Sequence, residues 1–156
     1  MSQPESKPEN KTVFVQRRFE TPCEKIYRAW TDPAALKKWF GPEGVTTVAA
    51  VVDLQVGGQY KISMQPPSGE IVHHYGEFKE IIPNEKLVFT WLLDGQPCEG
   101  TAGEYAETLV TVEFKPVGVA TEVSLTHQYI PSEKSRECHE DGWTGSFKCL
   151  AQALSG

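Results

Sequence analysis

The sequence lacks an excess of basic residues, because 15 Lys and Arg face 21 Asp and Glu and give a net charge of −6. Phosphate binding needs a basic stripe, so this balance argues against a nucleic acid partner. Long apolar runs are missing too, since the longest, residues 45–52, is far too short to span a bilayer. The polar, proline-containing start has no apolar core. We therefore expect no signal peptide and a disordered leader over residues 1–11.

The chain also lacks any C-x-x-C pair, since its four cysteines are scattered at positions 23, 98, 138 and 149. Without a secretory signal, this pattern predicts reduced thiols in a cytoplasmic protein. Residues 138–141 read Cys-His-Glu-Asp, but neighbouring positions on a helix do not face each other, so we predict no metal site. No phosphate-binding glycine loop, dinucleotide fingerprint or nucleophile setting is present, and we expect no cofactor.

Two short helices are predicted directly after a first strand at residues 12–20. Thr21 is a suitable N-cap, Pro22 suits the first helical position, and Glu24 completes a capping box. The pair Asp32-Pro33 repeats the start signal for the second helix. Two tandem helices after one strand are an unusual and therefore informative arrangement.

From Val45 onward the apolar residues recur with a period of two, which indicates β-strands. Short links between these strands force antiparallel pairing, because a parallel crossover needs a dozen or more residues. The glycine-rich residues 94–106 are predicted to form a lid or rim. A final helix from Pro131-Ser132 to about Leu154 is long enough to cross a whole sheet. The predicted strands cover residues 46–54, 59–65, 70–82, 86–93, 107–115 and 120–130.

The alternation places large aromatic side chains on one face of this sheet and polar ones on the other. On the last strand the inward set is predicted to be Val123, Leu125, His127 and Tyr129. Large rings on a curved sheet under a single helix are hard to pack solid and tend to leave a cavity. The alternative is that the rings simply fill the core, since core aromatics need no ligand.

Eight residues are candidates for contacting a ligand in such a cavity. Trp39 would seal one end, and His127 and Tyr60 would orient polar groups of the ligand. His127 is also a weak candidate for a catalytic acid or base, although isolated core histidines usually serve only as hydrogen-bond partners. The full set is Trp39, Tyr60, His74, Phe89, Trp91, His127, Trp143 and Phe147.

Several segments together resemble one family over residues 13 to 154. The chain is similar to the bacterial single-domain relatives of the C-terminal domain of the activator of the ninety-kilodalton heat-shock-protein ATPase. That family belongs to the START-like superfamily, which includes the birch-pollen allergen fold and polyketide cyclases. The segments that carry the resemblance are FETPCEKIYRAWTDPAALKKWFGP, VVDLQVGGQYKISM, YGEFKEIIPNEKLVFTW, ATEVSLTHQYIP and HEDGWTGSFKCLAQAL.

The resemblance implies an α+β helix-grip fold over residues 12–156, in which a seven-stranded antiparallel sheet wraps around a long C-terminal helix. It also implies a cavity between sheet and helix. Fold alone does not settle function. The first hypothesis is a carrier, sensor or sequestering protein for a small hydrophobic molecule. The alternatives are an enzyme, such as a polyketide cyclase or hydrolase, using the same cavity, and a co-chaperone-like interaction module.

Overall fold

The computed structural model describes residues 11–40, 44–67, 69–94 and 107–155. The predicted leader, apart from Lys11, and the predicted lid, apart from Asp94, lie outside the described residues. The domain boundary at residue 12 therefore stays a prediction.

Seven strands form one antiparallel sheet in the order β1-β7-β6-β5-β4-β3-β2. The helices are α1, α2 and the long α3, which follows the last strand. This architecture confirms the predicted α+β helix-grip fold. In chain order the elements are β1 Lys11–Phe19, α1 Cys23–Thr31, α2 Pro33–Trp39, β2 Thr46–Val52, β3 Gln59–Gln65, β4 Val72–Ile82, β5 Lys86–Asp94, β6 Thr108–Val117, β7 Ala120–Ile130 and α3 Glu133–Ser155.

The start of α1 differs from the predicted capping box. Pro22 occupies the N-cap position, and no side chain among the described residues donates or accepts a cap hydrogen bond there. Thr21 is buried instead, and its carbonyl accepts a 2.6 Å hydrogen bond from the Thr121 hydroxyl of β7. A tertiary contact therefore fixes this helix entry. The start of α2 is as predicted, because the Asp32 carboxylate accepts from the Ala34 N–H at 3.0 Å.

The inward face of β7 is confirmed for Val123, Leu125 and His127 but is wrong for Tyr129. Tyr129 is 49% exposed and has a φ of 69°, in the left-handed region that non-glycine residues rarely adopt. The pairing of β1 with β7 shifts register at the same place, and Ile130 takes the buried position. A bulge of this kind inserts one residue, so every side chain beyond it changes face.

The prediction of reduced cysteines is wrong for Cys138, which is disulfide-bonded. Cys23 and Cys149 are free thiols. A disulfide depends on Cα atoms that approach to about 4.4–6.8 Å, and spacing along the sequence does not reveal such an approach.

The core lies between the concave face of the sheet and the three helices. Trp143, Phe147 and Leu150 of α3 are buried there, and α1 and α2 cover the same core with Trp30 and Leu36. In the described part of the chain, no helix is long and apolar enough to cross a membrane. The three helices thus converge on one layer of aromatic side chains.

Leu150 tests the packing of α3, because its side chain is fully buried in the core. Leu150→Ala should lower the free energy of unfolding by about 2–5 kcal/mol through the cavity it creates. The exposed neighbour Lys148 provides the control, and Lys148→Ala should change it by less than about 0.5 kcal/mol. Urea unfolding followed by circular dichroism measures both, and equal effects would show that α3 is not packed as described.

The oxidation state of the cysteines can be mapped directly. Alkylation of the denatured protein without a reductant should label Cys23 and Cys149 and leave Cys138 unlabelled, because a disulfide sulfur does not react. Peptide mass spectrometry before and after reduction gives the labelled positions. Complete labelling of Cys138 without reduction would contradict the disulfide.

Candidate functional site

All four tryptophans of the chain meet in one cluster, although they belong to α1, α2, β5 and α3. The ring centroids of Trp30 and Trp39 are 4.8 Å apart, those of Trp30 and Trp143 are 6.1 Å apart, and those of Trp91 and Trp143 are 4.9 Å apart. Phe147 packs edge-on against Trp30 at 6.0 Å. Contacts of this geometry between rings stabilise by about 0.5–1.5 kcal/mol each beyond burial.

Phe40 lies at the centre of this cluster, one residue beyond the end of α2. Its ring is within 6.2 Å of His74, Trp91 and Trp143, measured between centroids. Its backbone carbonyl accepts a 2.7 Å hydrogen bond from the hydroxyl of Thr47 on β2. One side chain thus joins α2, the sheet and α3.

A cavity of about 20 Å³ lies beside Phe40, between the short helices and strands β2 to β5. This volume corresponds to about one water molecule. None of its described lining residues belongs to α3, so the cavity lies closer to the short helices than the sequence suggested. The lining residues are Trp30, Leu36, Phe40, Val52, Tyr60, Ile62, Phe78, Leu87, Phe89 and Trp91.

His127 is fully buried and has a partner on each ring nitrogen. Trp143 donates its indole N–H to Nδ1 at 3.1 Å, which leaves the proton of the neutral ring on Nε2. Nε2 then donates to the Thr108 hydroxyl at 2.7 Å, and that hydroxyl donates to the Trp91 carbonyl at 3.1 Å. Burial lowers the pKa of His127 well below 6.5, and the nearby His139 and His74 lower it further. The ring is therefore neutral and its tautomer is fixed.

His74 stands in contrast, because neither of its ring nitrogens has a hydrogen-bond partner among the described residues. Its ring is 4.6 Å from that of Trp91, and its side chain is almost fully buried. Burial, with smaller contributions from His139 and His73, lowers the pKa of His74 to about 3. The indole nitrogens of Trp30 and Trp91 are likewise buried and unpartnered within the described part of the protein. Four buried polar atoms in one aromatic cluster thus have no hydrogen-bond partner among the described residues.

His139 on α3 is a member of the cluster that the sequence pattern did not reveal. Its ring centroid lies 4.8 Å from that of His127 and 6.4 Å from that of Trp91. Its Nδ1 donates to the Ser135 carbonyl at 2.8 Å. Burial lowers the pKa of His139, whereas the hydrogen bond to Ser135 opposes this shift. Considered only with its sequence neighbours, His139 looked like part of a metal motif, and helical spacing to Trp143 was the signal that pointed inward.

The eight predicted ligand-contacting residues fall into two groups. Tyr60, Phe89 and Trp91 line the cavity, and the hydroxyl of Tyr60 donates to the Thr90 carbonyl at 2.6 Å. The other five do not line it. These are Trp39, His74, His127, Trp143 and Phe147. Trp39 donates its indole N–H to the Ala29 carbonyl at 2.8 Å and so fixes α2 on α1.

Trp30 was not among the eight candidates, yet it lines the cavity, and its indole nitrogen has no hydrogen-bond partner among the described residues. The lining residues Leu36, Ile62, Phe78 and Leu87 were not selected, because an aliphatic or aromatic residue at an inward position looks the same whether or not it borders a void. Among the described residues, no group of three or more His, Cys, Asp or Glu side chains could hold a metal ion.

Comparison with known proteins identifies a family for this chain. The sequence model for the family described as "Activator of Hsp90 ATPase homolog 1-like protein" matches residues 20–155. No curated protein matches the chain in sequence.

Solved structures with the same fold come from several bacteria. A Chromobacterium violaceum protein is 30% identical, with a TM-score of 0.82, and the match covers 93% of this chain and 97% of that one. A Silicibacter pomeroyi protein named AHSA1 is 25% identical, with a TM-score of 0.79 and coverage of 93% and 98%. A Nitrosomonas europaea protein, at 24% identity and a TM-score of 0.76, covers 92% and 94% and shows the fold alone.

The buried histidines predict a loss of stability in acid. The unfolded chain protonates a histidine near pH 6.5, whereas folded His74 does so near pH 3, so the unfolded state binds more protons between these values. The free energy of unfolding should therefore fall as the pH is lowered through this window, by about 1.4 kcal/mol per pH unit for this residue. Urea unfolding at pH 7 and pH 5 measures the difference.

His74→Phe should reduce that difference by about 2 kcal/mol, because the substituted ring cannot titrate. Val72→Ala, which alters a buried, non-titrating residue on the same face of β4, should lower stability equally at both pH values. A His74→Phe variant with the full wild-type difference would show that His74 is not held neutral by burial.

Proposed function

The chain belongs to the Activator of Hsp90 ATPase homolog 1-like family, and from that premise we propose that it binds a small hydrophobic molecule in the aromatic cluster between its sheet and its helices. The cavity under α1 and α2 would form one end of the binding site. The space now filled by the ring of Phe40 would extend that site toward α3.

The observation that carries this proposal is a set of four buried polar atoms, on Trp30, His74 and Trp91, that have no hydrogen-bond partner among the described residues. Leaving a buried donor or acceptor unsatisfied costs about 1–3 kcal/mol per group, and native proteins keep such groups rare. Native cores rarely gather four such groups beside a cavity. A bound molecule that satisfies them would recover part of this free energy.

The resting volume of about 20 Å³ requires the site to open when a ligand enters, because small-molecule sites occupy about 300–1,000 Å³. Phe40 is the side chain whose displacement would enlarge the cavity most directly. It lines the cavity on one side and contacts His74 and Trp143 on the other. The free energy of opening reduces the apparent affinity in proportion to the population of the open form.

The geometry supports a binder more than an enzyme that uses His127. A general acid or base needs a free nitrogen within hydrogen-bond reach of the reacting group. Trp143 and Thr108 occupy both nitrogens of His127. His127 therefore holds the wall of the site in place, and His74 is the histidine available to a ligand.

A location in the cytoplasm also remains a proposal. The disulfide at Cys138 argues against this location, because disulfides rarely persist in a reducing compartment such as the cytoplasm.

Calorimetric titration with the hydrocarbon 2-isopropenylnaphthalene tests whether the cluster admits a two-ring molecule. We expect a dissociation constant in the micromolar range and a negative heat-capacity change, the mark of apolar burial. Val52→Phe, which adds bulk at the cavity wall, should weaken binding about tenfold or more.

Val51→Phe is the matched control, because Val51 is adjacent on β2 but 64% exposed on the opposite face. It should bind the hydrocarbon as the wild type does. Circular dichroism verifies that both variants are folded. Absence of binding to the wild type, or equal binding to both variants, would overturn the proposed site.

A further inference from the structure

The unpartnered atoms of the cluster have a definite hydrogen-bonding character. An indole nitrogen is only a donor, so Trp30 and Trp91 offer two N–H groups. The neutral ring of His74 offers one donor and one acceptor. The site therefore presents three donors and a single acceptor, all of them nearly fully buried.

Charge restricts the occupant further. None of the ten lining residues that the structure describes carries a formal charge. An anion buried without a cationic partner is strongly disfavoured by desolvation. Burial keeps the pKa of His74 near 3, so this ring supplies no positive charge at neutral pH. The ligand must then be uncharged and rich in acceptors.

The shape of the site is set by flat rings. The centroids of Phe40, His74 and Trp91 are mutually within 6.2 Å, and Trp143 adds a third ring around Phe40. A ligand that takes the place of the Phe40 ring meets the faces and edges of these neighbours, as another aromatic ring would.

We infer that the site takes a neutral aromatic molecule bearing a carbonyl oxygen, which accepts a hydrogen bond from the indole N–H of Trp91. This inference rests on the proposed function and specifies its ligand class. Trp91 is the donor shared by the cavity and the rings around Phe40, because it lines the cavity and packs against the ring of His74. Its own position is fixed through the Trp91 carbonyl, which accepts from Thr108.

The test compares 2-acetylnaphthalene with 2-isopropenylnaphthalene, which differ in a carbonyl oxygen against a methylene group of similar shape. Trp91→Phe should weaken binding of the ketone about tenfold more than binding of the hydrocarbon, because both probes lose the same apolar contacts and only the ketone loses a neutral hydrogen bond. Tyr129→Phe is the control, since Tyr129 is 49% exposed and turned away from the cluster, and both probes should bind it as they bind the wild type.

A second measurement, on the wild-type protein, tests the same hydrogen bond even if the Trp91→Phe variant does not fold. The indole N–H proton of Trp91, assigned by its loss in Trp91→Phe or by through-bond correlation, should move further downfield with the ketone than with the hydrocarbon. Ring-current effects are common to both probes, so the difference reports the hydrogen bond.

The outcomes separate the two claims. If neither probe binds the wild type, the proposed function fails. If both bind but Trp91→Phe weakens them equally, or the indole proton responds equally to both, the proposed function stands and the carbonyl preference is overturned.

Discussion

The hydrogen-bond chain that begins at the indole of Trp143 holds the site together. It passes through the ring of His127 and the hydroxyl of Thr108 to the carbonyl of Trp91, and so ties α3 to β7, β6 and β5. Each group is buried, and each donates to the next, so reversing any one of them would leave a donor or acceptor unsatisfied. This order holds only while His127 is neutral. The two hydrogen bonds of its ring fix the positions of Trp143 and Thr108 relative to it.

Hydrogen bonds are unevenly distributed among the four neighbouring tryptophans. Trp39 and Trp143 donate their indole protons to groups within the protein, whereas the indole nitrogens of Trp30 and Trp91 have no partner in the part of the chain that the structure describes. All four share one apolar environment, so burial alone does not explain the difference. The unsatisfied pair borders the cavity, and this coincidence of unused polarity and space distinguishes the region from an ordinary core.

The errors of sequence reasoning fall where a distant segment decides a local structure. Thr21 is a residue type that often caps helices. Its carbonyl instead accepts a hydrogen bond from Thr121, one hundred positions away, and α1 begins without a side-chain cap. Tyr129 follows the alternation of its strand, yet the register shift against β1 turns it outward and buries Ile130. Cys138 has no partner at a recognisable spacing and is nevertheless disulfide-bonded. Each result depends on a contact that local pattern does not contain.

The order of the elements, the antiparallel sheet, the long final helix and the inward aromatic residues followed from the sequence itself. Periodicity and turn residues act over a few positions, and the chain therefore carries them locally. The eight site candidates were inward residues of this kind, and three of them line the cavity. Only the tertiary structure decided which polar atoms find partners. His127 and His74 look equivalent as inward histidines on strands. The ring nitrogens of His127 hydrogen-bond with Trp143 and Thr108, whereas those of His74 have no hydrogen-bond partner among the described residues. Hydrogen bonding depends on distances of about 3 Å between atoms from remote segments, and no pattern of residue types specifies distances to that accuracy.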